Sequence, residues 1–358
     1  MAEEKKRLWI ERPFQDGDEK KLPVLYEDTI GEWIGDHAWR WLFMDAPAGK
    51  GYTWFADHDG FLAGQYTIVP VDMQILGRRV RTTQSVDTMT HSKYRKQGIF
   101  LALARDVYEE AKNDNVVLVY GFPNENSHPG FIKHLEFITL TNAKTLLRPV
   151  KIDDAITAKL KIPVISSVLG YISRLFYDLI YPIKSGNTAD VEIKSASRFP
   201  DESDKLFDTI SGNFPNLVVR DTRFLNWRYV DHPKKEYEIL LAYRGGTLSG
   251  YCVTGMMERR GLQVGCIMDI FADPSDSKTI SLLIGNAVKA MYKKNMTAVT
   301  CMINDSSPFV KYLKRAGFRF SVRDFPYIIR VLHPEEVDLE KLRDMSKWHI
   351  TFGDADFV

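Results

Sequence analysis

Between residues 80 and 111 the apolar positions change from a two-residue period to the period of a helix. Residues 80–91 are rich in Val, Thr and Met and roughly alternate apolar with polar side chains, a pattern typical of a β-strand. The apolar residues that follow have helical spacing, and they are Phe100, Leu103, Ala104, Val107, Tyr108 and Ala111. The pattern therefore predicts a strand, a short loop at residues 95–98 and then a helix.

The predicted loop is basic and contains a glycine. Lys93, Arg95 and Lys96 supply cationic donors, and Gly98 has no Cβ that would keep a ligand away from the backbone. The first turn of a helix has N–H groups without a partner inside the helix, so phosphate oxygens bind readily there. The loop therefore predicts an anion-binding site, with an ordinary basic helix start as the alternative.

An apolar run and an asparagine-rich segment follow the predicted helix. Residues 116–120 are apolar and β-branched, as in a short buried strand, and residues 121–137 run from a glycine through several asparagines to a closing Phe137. Together with the Arg95-x-x-Gly98 loop, this order resembles the GNAT superfamily of N-acetyltransferases over about residues 60–145. Phe100 and Glu136 stand where that family has small residues.

The chain also contains an internal repeat. The pattern Trp-x-x-x-Asp-x-Pro occurs at residues 41–47 and again at residues 227–233, and Gly64 and Gly250 follow the two copies at the same offset. Self-similarity at this spacing predicts duplicated domains. The second copy lacks the basic glycine loop, since residues 273–279 contain aspartates and no glycine.

We therefore predict an α/β fold with a mixed sheet, in layers of the α+β type, made of two tandem GNAT-like domains joined by an apolar helix. The predicted boundaries are residues 1–150 for the domain with the coenzyme A site and 151–189 for the helical linker. Residues 190–335 are predicted as the second domain, and 336–358 as a C-terminal helix and an aromatic, acidic tail. Asp276 or Ser277 is the expected N-cap in the second domain, where it would occupy the N–H groups that a diphosphate needs.

Composition narrows the class of protein. The chain has 358 residues, of which 44% are apolar, enough for two hydrophobic cores. Its net charge of +1 argues against a nucleic acid partner. The three cysteines, Cys252, Cys266 and Cys301, are widely spaced, so we expect neither a disulfide framework nor a metal site. The N-terminus lacks a secretory signal, and we expect a cytoplasmic protein.

Residues 162–181 are the most apolar segment. Arg174 and Asp178 interrupt it, so it is too short to span a bilayer, and we expect no integral membrane segment. A buried interdomain helix is the main interpretation. An interfacial membrane helix and a homodimer contact are the alternatives.

The resemblance implies transfer of an acetyl group from acetyl-coenzyme A directly to an amine within a ternary complex. The expected acceptor is a small polar amine, with an amino sugar as one candidate. Tandem GNAT-like domains also occur in aminoacyl and long-chain acyl transferases. A non-catalytic coenzyme A-binding or assembly protein is a further alternative, because Phe100 and Glu136 depart from the family pattern.

The resemblance also implies where the cofactor contacts lie. In GNAT enzymes the strand before the phosphate loop offers N–H groups to the acetyl oxygen, while the loop, the helix start and the asparagine segment hold the rest of the cofactor. The corresponding residues here are Thr88, Met89, Thr90, Arg95, Lys96, Gln97, Gly98, Ile99, Phe100, Asn126 and Phe131.

Asp87 is the predicted general base. An amine must lose a proton before it attacks, and Asp87 lies on the strand before the phosphate loop, next to the expected position of the acetyl group. Fixing the strand end or binding the substrate ammonium is its alternative role. Trp39 is a candidate for acceptor contact, with core packing as the alternative. Asp354 and Asp356 in the tail are candidates for binding a cationic acceptor.

The proton donor for the departing thiolate is less well defined. Many GNAT enzymes use a tyrosine at the position that Ile132 holds here. His128 is the predicted substitute because an imidazole exchanges protons near neutral pH, and Glu125 lies close to it in sequence. Tyr94 and Tyr120 remain alternatives.

Overall fold

The structure is a computed structural model that describes residues 7–150, 175–259 and 261–355. Contacts divide the chain into two compact units. Unit 1 comprises Met1–Leu140, His232–Lys234 and Pro326–Arg343; unit 2 comprises Thr141–Asp231, Lys235–Phe325 and Asp344–Val358. Each unit therefore takes segments from both halves of the sequence.

The strands are β1 (Ile10–Pro13), β2 (Tyr52–His58), β3 (Phe61–Ile75), β4 (Arg78–Thr90), β5 (Leu118–Gly121), β6 (Ile138–Pro149), β7 (Glu192–Ala196), β8 (Leu217–Val218), β9 (Glu238–Arg244), β10 (Thr247–Arg259), β11 (Leu262–Ala272), β12 (Ala298–Ile303) and β13 (Arg319–Val331). The labelled helices are α1 (Leu22–Thr29), α2 (Asp36–Phe43), α3 (Ile99–Asn113), α4 (His128–His134), α5 (Glu202–Ile210), α6 (Thr222–Tyr229), α7 (Ser277–Lys293), α8 (Val310–Arg315) and α9 (Leu339–Leu342). The mixed α/β class predicted from the sequence is confirmed.

In unit 1 the strands lie in the order β1, β2, β3, β4, β5 and the end of β13. Neighbouring strands run antiparallel except β4 and β5, which are parallel and are connected by α3. This helix buries the apolar stripe that its spacing predicts, including Leu103, Val107 and Ala111. Gly64 on β3 makes the close approach possible, because a Cβ there would lie 2.5 Å from Cγ2 of Ile99.

Unit 2 repeats this arrangement with the strand order β6, β12, β11, β10, β9 and β7. Its parallel pair is β11 and β12, and α7 connects them. Gly250 on β10 has the role of Gly64, since a Cβ there would lie 2.8 Å from Cβ of Ala272 and 3.3 Å from Leu283. The two repeated glycines thus meet the same packing requirement, each within its own unit.

Most of the predicted linker, residues 151–174, lies outside the described residues. Residues 175–180 are helical. In the described part of the chain, no helix is both long enough and apolar enough to cross a bilayer.

Candidate active site

Strands β4 and β5 diverge within unit 1. They pair only where Thr82–Gln84 meets Leu118–Tyr120, after which β4 continues to Thr90 while β5 ends at Gly121. After Gln84, the edge of β4 that faces β5 therefore has no pairing with β5. The backbone groups of a strand edge are open to hydrogen bonding from a ligand when no second strand occupies them.

A β-bulge lies on this diverging part of β4. Gln65 on β3 pairs with Met89 on β4, and Thr67 pairs with Val86. One residue on β3 lies between these two pairs, and it faces two residues on β4. One of these is Asp87, whose φ of 43° lies in the left-handed region. A bulge re-aims a side chain and raises the local twist, and here it sets the direction of Asp87.

Asp87 is held by a tyrosine that sequence reasoning missed. The hydroxyl of Tyr26, from α1, donates to Oδ2 of Asp87 at 2.8 Å, and the side-chain amide of Gln65 donates to the Asp87 carbonyl at 3.4 Å. Burial raises the pKa of Asp87, and the hydrogen bond from Tyr26 opposes that rise. Burial also raises the pKa of Tyr26, which therefore stays protonated as the donor. A carboxylate with a raised pKa is suited to accept a proton.

The start of α3 forms an open cradle. Gly98 has a φ of 81°, and no atom lies within 4 Å of where its Cβ would be. No side chain caps this helix end. The side chains of Arg95, Lys96 and Gln97 are exposed beside it. In the described part of the chain, the N–H groups of residues 99–100 find no acceptor, so this helix end can bind an anion.

Phe100 does not crowd this cradle. Its ring centroid lies 5.6 Å from that of Tyr66 and 5.5 Å from that of Phe131, and Gly130 leaves the space that the ring needs. Phe100, which departs from the family pattern, therefore packs its ring against the core and is partly buried. Phe131, a predicted cofactor contact, is itself buried in the same aromatic cluster.

The asparagine segment folds around Asn124. Its side-chain oxygen accepts hydrogen bonds from the backbone N–H groups of Asn126 and Ser127, at N···O distances of 2.9 and 3.0 Å. Glu125 and Asn126 are exposed, and Nε2 of His128 lies 2.9 Å from the hydroxyl of Thr139. Glu125 and Asn126 are thus accessible, whereas His128 is half-buried and already has a hydrogen-bond partner.

Trp39 is a core residue in this structure. Its side chain is 0% exposed, and its ring centroid lies 5.4 Å from that of Phe14 and 5.2 Å from that of Phe43. The structure thus favours the core alternative over contact with an acceptor. Phe43 is a neighbour on the same helix, whereas Phe14 comes from a segment distant in sequence, which a local pattern does not reveal.

In unit 2 the helix that corresponds to α3 has a closed start. Asp276 is the N-cap of α7, where it accepts the N–H of Thr279 at 3.1 Å, and it also pairs with Arg244 at 2.9 Å. The predicted N-cap is confirmed. A carboxylate fills the position that a diphosphate would need, so unit 2 offers no equivalent cradle.

The C-terminal tail docks within unit 2. Trp348 and Phe352 are buried there, as their apolar character predicts. Both oxygens of Asp354 accept from Nη2 of Arg220, at 2.9 and 3.1 Å. That carboxylate is neutralised in the core of unit 2, which argues against a role in binding a cationic acceptor. Asp356 lies outside the described residues.

Comparisons with known proteins agree with this geometry. Residues 28–137 match the family model of the acetyltransferase (GNAT) domain. A conserved protein of unknown function from Enterococcus faecalis V583, described as a probable N-acyltransferase, is 11% identical with a TM-score of 0.65; the match covers 91% of this chain and 73% of that one. A GCN5-related N-acetyltransferase from Anabaena variabilis ATCC 29413 is 11% identical with a TM-score of 0.61, over 90% of this chain and 73% of that one.

The N-myristoyltransferase of Saccharomyces cerevisiae, in complex with myristoyl-CoA, has a TM-score of 0.60 at 10% identity, over 90% of this chain and 82% of that one. No curated protein matches the sequence. The fold and the matched segment define the class: this is a GNAT-fold protein. Its residues 28–137, which contain the cradle and the diverging strands, belong to the GNAT superfamily of acetyltransferases.

Proposed function

We propose that this protein is an acetyl-CoA-dependent N-acetyltransferase that acts on a small polar amine in the cytosol. The observation that carries the proposal is the open, uncapped start of α3 at Gly98, beside a strand that β5 has stopped covering. An anion cradle next to a free strand edge fits a thioester carrier with a diphosphate. An aminated sugar is one acceptor that would meet the description.

The cradle would hold the diphosphate of coenzyme A. The N–H groups of residues 98–100 would bind its oxygens, and Arg95 and Lys96 would add charge-assisted hydrogen bonds from their exposed side chains. Acetyl-CoA would supply the activated acetyl group. The backbone of residues 88–90, on the free edge of β4, would then donate hydrogen bonds to the acetyl oxygen as negative charge develops on it.

Asp87 would take the proton from the acceptor amine. Asp87 is half-buried as a residue, and burial of its carboxylate raises the pKa, which favours a group that accepts a proton. Tyr26 would fix the direction of the carboxylate through its 2.8 Å hydrogen bond. His128 is the proposed proton donor for the thiolate, with Glu125 exposed beside it.

A long-chain acyl donor is the second candidate. The observation that favours it is the similarity in fold to an N-myristoyltransferase solved with bound myristoyl-CoA. The two candidates share the diphosphate cradle and differ in the length of the acyl group, so they are distinguished by the choice of donor.

Release of free thiol is the measurement that tests the proposal. The full-length protein is incubated with acetyl-CoA or myristoyl-CoA and a panel of amino sugars, polyamines and amino acids. The expected result is amine-dependent release with acetyl-CoA that is lost in Asp87→Asn. Release with myristoyl-CoA alone would replace the first candidate by the second, and binding of coenzyme A without release would indicate a non-catalytic binding protein.

A further inference from the structure

A helical segment of unit 2 exposes its apolar face to solvent. The segment is residues 175–180, and its large apolar side chains are exposed as follows: Leu175 52%, Phe176 61%, Leu179 77% and Ile180 63%. We call these four side chains the apolar face. A contiguous patch of this kind on a protein surface marks an interaction site.

The opposite face of the segment is firmly attached to unit 2. Arg148, which is fully buried, pairs with Asp178, and the hydroxyl of Tyr177 donates to the carbonyl of Gly317. The guanidinium of Arg319 lies 4.3 Å from the ring centroid of Tyr181. These contacts fix the orientation of the helix, so the outward direction of the apolar face is set by the fold.

Cations lie near the C-terminal end of the helical segment. Lys184, Lys311, Lys314, Arg315 and Arg319 are exposed, and we call them the basic rim. Lys311, Lys314 and Arg315 project from one side of α8, and Arg319 contacts Tyr181 directly. Among the described residues, no carboxylate lies within ion-pair distance of any member of the rim, although the whole chain carries a net charge of only +1.

A cavity of about 700 Å³ opens beside the rim. Lys184 and Arg315 line it together with the hydroxyl groups of Ser185 and Ser281, and Pro182 connects it to the end of the helical segment. Lys278 also lines it, but Asp190 already pairs with that lysine. Cations and hydroxyls around a concave space are suited to a phosphate group.

We propose that this face of unit 2 binds the surface of an anionic membrane. The apolar face enters the interface between headgroups and acyl chains, and the basic rim contacts lipid phosphates, with the cavity receiving a headgroup. Interfacial membrane binding uses an exposed apolar helix face with cations nearby, and these cations have no carboxylate partner among the described residues. A second copy of this chain would meet the same uncompensated positive charge, which argues against a symmetric contact across the rim.

Sedimentation of the full-length protein with lipid vesicles tests the proposal. Vesicles of phosphatidylcholine with about 30 mol% phosphatidylserine are expected to bind the protein, whereas pure phosphatidylcholine vesicles are not. Each cation near the surface contributes about 5-fold, so the triple variant K311Q/K314Q/R315Q is expected to bind roughly 100-fold more weakly. The variant Phe176→Ser/Leu179→Ser is expected to lose at least about tenfold.

Matched variants serve as controls. Met256→Ser/Leu262→Ser removes apolar side chains that are 48% and 45% exposed elsewhere in unit 2, and Lys133→Gln/Lys205→Gln removes two exposed cations that are not members of the rim. Both controls are expected to bind vesicles like the wild type.

Each of three results would overturn the proposal. One is equal binding, or no binding, to both kinds of vesicle. Another is a dimer in sedimentation velocity without lipid that Phe176→Ser/Leu179→Ser dissociates, which would assign the face to a second copy. The third is a lower melting temperature for that variant without any vesicle binding by the wild type, which would assign the face to this chain's own residues 151–174.

Discussion

Asp87 and Asp269 hold equivalent positions on the strands β4 and β11 of their separate units. Each lies three residues before the residue that pairs with the repeated glycine, since Gly64 pairs with Thr90 and Gly250 pairs with Ala272. The duplication that the sequence predicts thus extends to a carboxylate in each copy.

The surroundings of the two carboxylates differ. Asp269 is buried and accepts from Nε of Arg220 at 3.0 Å and from the hydroxyl of Tyr251 at 2.9 Å. Burial alone would raise its pKa, but the charge and hydrogen bond of Arg220 together with those of His349 outweigh burial and lower it. Burial raises the pKa of Asp87, and in the described part of the chain its carboxylate accepts only from the neutral hydroxyl of Tyr26. One carboxylate therefore stays ionised within a core, and the other holds its proton more tightly than a free aspartate does.

Replacing Asp87 with Asn is expected to lower the turnover of the protein while raising its stability at neutral pH. Asn still accepts the hydrogen bond from Tyr26 but takes no proton from an amine, so kcat is expected to fall by about 10²- to 10⁴-fold. Because the folded protein binds the Asp87 proton more tightly than the unfolded chain does, ionisation costs stability above the folded-state pKa. The variant is therefore expected to be more stable than the wild type at neutral pH.

This gain in stability is expected to disappear as the pH falls below the folded-state pKa toward the unfolded value of about 3.9. Urea unfolding at a series of pH values measures it. A variant that loses stability at neutral pH and keeps its turnover would show that Asp87 is structural.

Replacing Tyr26 with Phe is expected to shift the pH dependence of the reaction. The Tyr26 hydroxyl lowers the pKa of Asp87, so its removal raises that pKa further. Since the base works only when ionised, the acid limb of the kcat/KM profile is expected to move to higher pH. A uniform loss of rate at all pH values would instead assign Tyr26 to packing alone.

Replacing Glu136 with Gly is expected to raise stability by about 1 kcal/mol. Glu136 has a φ of 58°, a conformation that strains a residue with a Cβ, and the matching Gly317 in unit 2 has a φ of 84°. The ion pair of Glu136 with Arg330 is exposed and contributes little. Thermal and urea unfolding check this, and a loss of more than about 1 kcal/mol would show that the ion pair matters more than the strain.

Replacing Arg220 with Met is expected to destabilise the protein by about 3–5 kcal/mol, because Asp269 and Asp354 would be left buried without a cation. Arg198→Met is the control, since its ion pair with Asp231 is exposed and contributes about 1 kcal/mol or less. Urea unfolding of both variants compares them. Equal losses would contradict the structural role given to the buried pair.

The parts of the site that local sequence encodes could be predicted. The strand and the helix around Gly98 follow from the change in the spacing of apolar residues, and the loop follows from the left-handed backbone conformation that glycine adopts easily. Asp276 could be predicted as an N-cap because capping depends on residues within one turn. The repeated glycines predicted a duplication, and the structure shows that each packs closely within its own unit, a role that the sequence pattern did not reveal.

The features that depend on long-range contacts could not be predicted. Tyr26 reaches Asp87 from another element far away in the sequence, and no local pattern connects them. The bulge at Asp87 has only the weak signal that aspartate tolerates a left-handed conformation. Trp39 has the same amphipathic context whether it faces a ligand or a core, and packing decides between them.

Calorimetric titration of coenzyme A into the wild type, Gly98→Ala and Gly77→Ala tests whether the helix start at Gly98 binds the diphosphate. Both glycines have a φ of 81° and open space at the Cβ position, so the two variants carry the same backbone strain of about 1–2 kcal/mol. We expect coenzyme A to bind the wild type and Gly77→Ala equally and Gly98→Ala at least about tenfold more weakly, because only the methyl group at residue 98 enters the diphosphate cradle. Equal binding by both variants, or no binding by the wild type, would contradict it.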